Sequence, residues 1–171
     1  MKKFFKGSTE LLIRNVVFGI EDSLVSTVGL LSGIAVGGVP RGTIILTGLV
    51  LIFVEAFAMG IGSFLSEETA EEYGNESGNI AKRSLGGSLV MFFSYALAGF
   101  IPLSPYLFGA IESPIVISII LSLITLFFLG FASGRISKIH PVRFGVKMLL
   151  LGGIAIAVGV LIGSWGGTEI L

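Results

Sequence analysis

Residues 16–38, VVFGIEDSLVSTVGLLSGIAVGG, form a long apolar stretch that carries two adjacent acids, Glu21 and Asp22. Roughly 20 apolar residues in a helix span the hydrocarbon core of a bilayer, so the stretch predicts a transmembrane helix. An ionised carboxylate in hydrocarbon costs about 3 kcal/mol, and acids retained there usually line a path for ions or protons. A third acid, Glu55, lies within the next apolar stretch. The pattern therefore predicts a transporter.

The whole chain has the composition of a membrane protein. Of its 171 residues, 53% are hydrophobic and only 13% are charged, with a mean hydropathy of +0.98. Soluble domains have about 25% charged residues. We therefore predict an all-α fold, a single transmembrane domain over residues 1–171, in a multi-pass protein of a prokaryotic cell membrane. Its five helices are predicted at residues 16–38, 43–64, 85–106, 114–133 and 144–165, and an acidic cytoplasmic connection at 66–84.

Several function classes are excluded by composition. The chain has no cysteine, which excludes disulfides, thiolate metal sites and a cysteine nucleophile. Its formal net charge of +0 gives no basic surface for nucleic acid. The single histidine, His140, lies in a predicted loop. We therefore do not expect an enzyme.

The positions of lysine and arginine predict the orientation in the membrane. In the five-helix arrangement every lysine and arginine except Arg41 falls on the side of the N-terminus. Cytoplasmic loops carry the excess of these residues. The N-terminus is therefore predicted inside and the C-terminus outside.

The second predicted helix continues into the acidic connection, because Ser66 to Tyr73 contains no helix breaker. Two interpretations remain open for this segment. It is either a solvated helix end balanced by Lys82 and Arg83, or a cytoplasmic mouth that attracts divalent metal ions. Its acids are Glu67, Glu68, Glu71, Glu72 and Glu76.

Depth in the bilayer relates the first two helices. With a rise of about 1.5 Å per residue, Asp22 and Met59 both lie roughly 10 Å from the inner helix ends. Glu55 lies one turn deeper, level with Ser26. A carboxylate with a thioether favours later first-row ions such as Fe²⁺, although Met59 by itself is more typical of packing. Glu21 either assists this site, pairs with Arg14 or is solvated at the helix end.

Small residues recur at intervals of four in two of the predicted helices. They are Gly29, Gly33 and Gly37 in the first and Ala155, Gly159 and Gly163 in the fifth. Such spacing lets two helices approach closely in lipid. The contact is either within one chain or between two copies, and we predict a homodimer joined chiefly along the first helix.

Four segments resemble the vacuolar iron transporter family of proton-coupled Fe²⁺ and Mn²⁺ transporters: residues 17–27, 55–63, 99–103 and 151–155. The resemblance places the family's aspartate and methionine on Asp22 and Met59. It implies a homodimer with the metal path between subunits. The chain has Ser63 where the family often has glutamate, for which Glu55 or Glu67 substitutes. The large cytoplasmic domain of many members is reduced to the acidic connection, so the chain resembles a short form.

The resulting hypothesis is an antiporter that moves Fe²⁺ or Mn²⁺ out of the cytoplasm in exchange for protons. The metal-binding residues are predicted to be Asp22, Glu55 and Met59, with Glu21 assisting or carrying protons. The acids Glu67, Glu68, Glu71 and Glu72 attract the ion. No tightly bound cofactor is expected. Two alternatives are a small proton-coupled exporter of organic cations and a structural membrane protein without transport.

Overall fold

The computed structural model describes the backbone of residues 2–73, 80–109 and 112–169, and the side chains of residues 10–70, 73, 83–109 and 112–166. The helices are α1 (Lys2–Val36), α2 (Arg41–Tyr73), α3 (Ile80–Leu107), α4 (Pro114–Ile136) and α5 (Pro141–Glu169). Within these described ranges five helices are long and apolar enough to cross a membrane. The predicted all-α membrane fold is confirmed.

Each helix extends beyond its predicted apolar stretch at one end or both, as the first three show. α1 begins at Lys2 rather than near residue 16, α2 ends at Tyr73, and α3 begins at Ile80. Hydropathy detects only the part of a helix inside hydrocarbon, whereas good helix formers continue it into water. Most of the expected acidic connection is therefore helix, as predicted for Ser66 to Tyr73, and residues 74–79 lie outside the described part of the chain.

Helix α1 is the centre of the bundle and contacts all four other helices. It runs parallel to α3, because Asn15 bonds to Gly87 and Ser23 bonds to Tyr95, both pairs being 72 residues apart in sequence. α2 packs against α3 and α1, and α4 packs chiefly against α5. The acids predicted in α1 and α2 therefore lie on helices that share an interface.

The core lies between α1, α2 and α3. Its fully buried members include Leu31, Ile52, Tyr95 and Leu103. Large apolar side chains cover the outer surfaces, among them Phe57, which is 60% exposed, and Ile162, which is 66% exposed. Such a surface is costly in water and favourable in lipid, so the arrangement fits a bundle inside a bilayer.

The glycines of α1 pack against those of α5 within one chain. A Cβ atom added at Gly33 would lie 2.6 Å from the backbone oxygen of Gly159, and one at Gly37 would lie 3.3 Å from that of Gly163. Only glycine permits this approach of two backbones. The prediction of a dimer joined through this stripe is therefore wrong, because α5 of the same chain covers it.

Two prolines inside α3 remove backbone donors near its end. Pro105 leaves the carbonyl of Ile101 without its helical partner, and the Ser104 hydroxyl donates to that oxygen at 2.8 Å. The Ser118 hydroxyl of α4 donates to the Pro102 carbonyl at 2.7 Å. The Ser104 bond satisfies the carbonyl that Pro105 leaves open at membrane depth, and the Ser118 bond joins α4 to the same end of α3.

Candidate metal site

Asp22 of α1 and Glu55 of α2 lie near enough to interact electrostatically across the interface of these helices. The Asp22 carboxyl group interacts electrostatically with Glu55, and Glu21 interacts with Asp22. All three side chains are partly buried, and all lie inside candidate membrane spans. In the described part of the chain the charged neighbour of Glu21 is Asp22 and not Arg14. The structure thus brings together like charges, which a bound cation would stabilise.

Met59 lies one turn beyond Glu55 on α2 and is partly buried. Its described contacts are with the apolar core that contains Ile52 and Tyr95. Met59 therefore lies near Glu55 along α2, and the contacts observed for its side chain are packing contacts with the core.

Tyr95 of α3 is a member of this site that sequence reasoning missed. The side chain is 0% exposed, its hydroxyl lies 2.7 Å from the Ser26 hydroxyl, and it interacts electrostatically with Asp22 and Glu55. Ser23 donates to the Tyr95 backbone oxygen at 2.6 Å. Tyrosines in membrane proteins concentrate at the two interfaces between membrane and water. A tyrosine in the middle of a span therefore indicates that its hydroxyl has a polar partner, and this signal could have identified Tyr95 in the sequence.

Glu67 lies in a second polar cluster with Asn15, Ser63 and Gly87, hereafter the Asn15 cluster. The Asn15 amide nitrogen lies 2.9 Å from Glu67 Oε1, 3.0 Å from Ser63 Oγ and 3.0 Å from the Gly87 carbonyl oxygen. Ser63 also donates to Glu67 Oε1 at 3.0 Å. The cluster joins α1, α2 and α3 around one carboxylate.

The burial of Glu67 differs from the solvated helix end that one of the two interpretations of this segment predicted. Glu67 is only 5% exposed, because it faces α1 and α3, and its Oε2 atom fits against Gly87, where a side chain would collide with it. Glu68, the next residue, is partly exposed. The side chains of Glu71 and Glu72 lie outside the described set, and so does the whole of Glu76.

Removing the Glu67 carboxylate should weaken the contact between three helices. Glu67→Ala removes one of three acceptors around the Asn15 amide and leaves the Ser63 hydroxyl without its acceptor, and an unsatisfied buried polar group costs about 1–3 kcal/mol. We expect thermal unfolding in detergent at a clearly lower temperature. The matched control is Glu68→Ala, at the neighbouring, partly exposed carboxylate, which should change stability by less than about 0.5 kcal/mol. Equal stabilities of the two variants would contradict a structural role for the Asn15 cluster.

The described residues of one chain do not form a complete metal site. Among the residues that the structure describes, no three histidine, aspartate or glutamate residues are grouped so that they could hold a metal ion. Among the described side chains the Asp22–Glu55 pair and Glu67 are thus two separate features, and the predicted ligands Glu71 and Glu72 lie outside the described set.

Comparison with known proteins gives a consistent set of relatives. A model of the VIT family matches residues 13–86 and 69–164. Vacuolar iron transporter 1 of Oryza sativa subsp. japonica is 22% identical over 206 residues, covering 85% of this chain and 82% of that protein. Vacuolar iron transporter 1 of Tulipa gesneriana is 20% identical, covering 85% and 83%. The vacuolar iron transporter of Centaurea cyanus is 38% identical over 87 residues, 50% of this chain and 35% of that protein.

The family match includes the residues that form the site. Residues 13–86 contain Asp22, Glu55 and the Asn15 cluster except Gly87, and the second matched stretch contains Gly87 and Tyr95 and extends into α5. The two stretches overlap at 69–86, the region of the short connection between α2 and α3. Because the match extends over most of the five-helix bundle, the resemblance seen in the sequence is confirmed, and the chain belongs to the VIT family.

Proposed function

We propose that the protein carries Fe²⁺ or Mn²⁺ across a membrane in exchange for protons, moving the metal out of the cytoplasm. The observation that carries the proposal is the pair Asp22 and Glu55, which interact across two membrane-spanning helices. The plant relatives are named as iron transporters, which supports iron as a substrate.

The chemistry of the pair favours exchange. Two nearby carboxylates at low dielectric repel one another, and either a divalent cation or protons relieve that repulsion. Because metal and protons occupy the same oxygens, binding of one displaces the other. Glu21, next to Asp22, is proposed to assist binding or to carry protons.

A second copy of the chain is proposed to complete the site. One subunit groups fewer than three acidic ligands among its described residues, and Asp22 and Glu55 are partly exposed within their spans. A symmetric partner would add a second pair of carboxylates and cover this surface from lipid. The proposal is therefore a homodimer with the path between subunits, joined by a surface other than the α1 glycine stripe.

The proposed orientation has the N-terminus inside. The basic residues flank the N-terminal end of α1 and the α2–α3 and α4–α5 connections. Glu68, Glu71 and Glu72 near the end of α2 would then attract cations from the cytoplasm. The expected location in a prokaryotic cell membrane stays a prediction, since the relatives are plant proteins named as vacuolar.

Uptake into proteoliposomes, with internal pH followed in the same sample, tests the function. Antiport predicts that addition of Fe²⁺ or Mn²⁺ produces both metal uptake and a matching proton flux in the opposite direction. An exporter of organic cations would move a lipophilic cation and not the metal. A structural protein would move neither. Metal flux without any pH change would refute proton exchange while leaving metal transport in place.

Met59→Leu tests whether sulfur contributes to metal choice. Leucine keeps the volume, so the change should cost less than about 1.5 kcal/mol of stability. If the thioether contacts the metal, the variant should lose severalfold in Fe²⁺ uptake relative to Ca²⁺ uptake, while total transport falls less. Met148→Leu, at a buried methionine of α5, is the control. Identical selectivity in both variants would assign Met59 to packing.

A further inference from the structure

We propose that the Asn15 cluster is a second binding site for the transported divalent metal, in which oxygen atoms of Glu67, Ser63 and Gly87 contact the ion. The cluster lies about one helical turn inside the spans of α1, α2 and α3, at the end of the bundle where α2 ends and α3 begins. The inference rests on the proposed function and adds to it a site between the water at this end and the proposed carboxylate pair.

The cluster has more hydrogen-bond acceptors than donors. The Asn15 amide nitrogen carries two hydrogens, but three acceptor oxygens lie 2.9–3.0 Å from it. The Ser63 hydroxyl adds one hydrogen, which it donates to Glu67 Oε1. The other carboxylate oxygen, Glu67 Oε2, is buried and has no hydrogen-bond partner among the described residues. Because a buried charge without a partner is costly, the cluster favours a bound cation.

The spacing of the polar atoms matches the ligands of a small divalent ion. The Asn15 amide nitrogen, Ser63 Oγ and Glu67 Oε1 form a triangle with sides of 2.9, 3.0 and 3.0 Å. Neighbouring ligands of an octahedral ion bound at about 2.1 Å are about 3.0 Å apart. Half a turn of the Asn15 amide would exchange its nitrogen for Oδ1, and water would complete the six positions. Such an all-oxygen set suits Mn²⁺ among the proposed substrates.

Gly87 leaves room for the carboxylate beside its own carbonyl oxygen. A Cβ atom added at Gly87 would lie 2.5 Å from Glu67 Oε2 and 2.6 Å from Oε1. At the preceding residue, Gly86, an added Cβ meets nothing within 4 Å. A methyl group at position 87 would therefore displace the carboxylate, whereas one at position 86 would not.

The cluster and the proposed carboxylate pair lie on the same faces of α1 and α2. Asn15 precedes Asp22 by about two helical turns, which is roughly 10 Å along the helix axis. On α2, Ser63 and Glu67 continue the face that carries Glu55, at intervals of four residues. An ion that leaves the Asn15 cluster thus reaches the carboxylate pair by moving along one face of α2.

Equilibrium binding of Mn²⁺ to purified protein in detergent tests the site, and the two adjacent glycines supply a matched pair of variants. Both variants are made together with Asp22→Asn, so that the carboxylate pair does not contribute to binding. Gly87→Ala changes no charge but displaces the Glu67 carboxylate, and we expect it to weaken Mn²⁺ binding about tenfold or more. Gly86→Ala should change the affinity by less than about twofold.

Asn15→Asp separates a metal site from a cluster that only joins helices. The variant has a second carboxylate beside Glu67, and two buried like charges repel, so it should melt below the parent when metal is absent. A divalent ion neutralises both charges, and affinity rises with the number of charged ligands. We therefore expect Mn²⁺ to raise the melting temperature of Asn15→Asp more than that of the parent. A purely structural cluster would lose stability and regain none with Mn²⁺.

The outcomes distinguish failure of the site from failure of the proposed function. Equal Mn²⁺ affinities of the Gly87→Ala and Gly86→Ala proteins would overturn the second site, and so would an Asn15→Asp variant that Mn²⁺ does not stabilise. If Gly87→Ala does not fold, the Asn15→Asp measurement decides alone. Mn²⁺ binding that Gly87→Ala weakens, in a parent protein that takes up neither Fe²⁺ nor Mn²⁺ into proteoliposomes, would support the site and overturn the proposed transport.

Discussion

Gly33→Leu is expected to disrupt the bundle, since it separates the two helices that meet at the glycine crossing. The added Cβ would already lie 2.6 Å from the Gly159 backbone oxygen, and a backbone atom cannot turn aside as a flexible side chain does. Overpacking of this kind costs up to about 3 kcal/mol and occasionally more. Because α1 also contacts α2, α3 and α4, displacement of α1 disturbs its contacts with every other helix.

Thermal unfolding of purified protein in detergent measures this effect. The control is Gly153→Leu, at a glycine of α5 where an added Cβ meets nothing within 4 Å. Gly33→Leu should melt at a much lower temperature than the parent, and Gly153→Leu close to it. The original expectation of a dimer along this stripe predicts another result: an intact, stable chain that has become monomeric. That result would show that α1 and α5 do not cross as the structure has them.

Helix number and approximate position followed from the sequence because each apolar stretch had to match the thickness of hydrocarbon. The end of α2 at Tyr73 also followed, because Ser66 to Tyr73 contains no helix breaker, but the start of α1 at Lys2 did not. Hydropathy carries no information about where a helix ends in water. The glycine spacing predicted that α1 packs closely against another helix, but not which helix. The small residues of α1 can pack against those of α5 in the same chain as well as against α1 of a second chain.

The site was predictable in depth but not in direction around the helix axis. Helical rise placed Asp22 and Glu55 within about a turn of one another, and the structure brings them together. The same arithmetic could not show that Glu67 faces Asn15 and Gly87 and is buried. Nor could it locate Tyr95, whose pairing with Ser26 depends on how α3 packs against α1. Interhelical contacts follow from packing, which spacing along one helix does not specify.

Asp22→Asn is expected to abolish transport while leaving the fold intact. Asparagine has nearly the same size as aspartate and retains an oxygen, so the bundle should be as stable as the parent. It removes the charge that interacts with Glu55 across the interface, and with it half of the proposed carboxylate pair. Loss of a direct ligand should cost more than loss of an outer partner, so we expect metal uptake to fall by about 100-fold or more.

The proton flux of the same variant separates antiport from simple metal binding. If metal and protons compete for Asp22, the Fe²⁺-driven change in internal pH should disappear together with metal uptake, because one carboxylate serves both. Glu112→Gln is the control: it also neutralises one acid, but Glu112 is exposed and lies between the spans of α3 and α4. It should retain both fluxes. Normal exchange by Asp22→Asn would rule out Asp22 as the shared site, since a neutral amide neither binds and releases protons near neutral pH nor supplies the charge that a divalent ion requires.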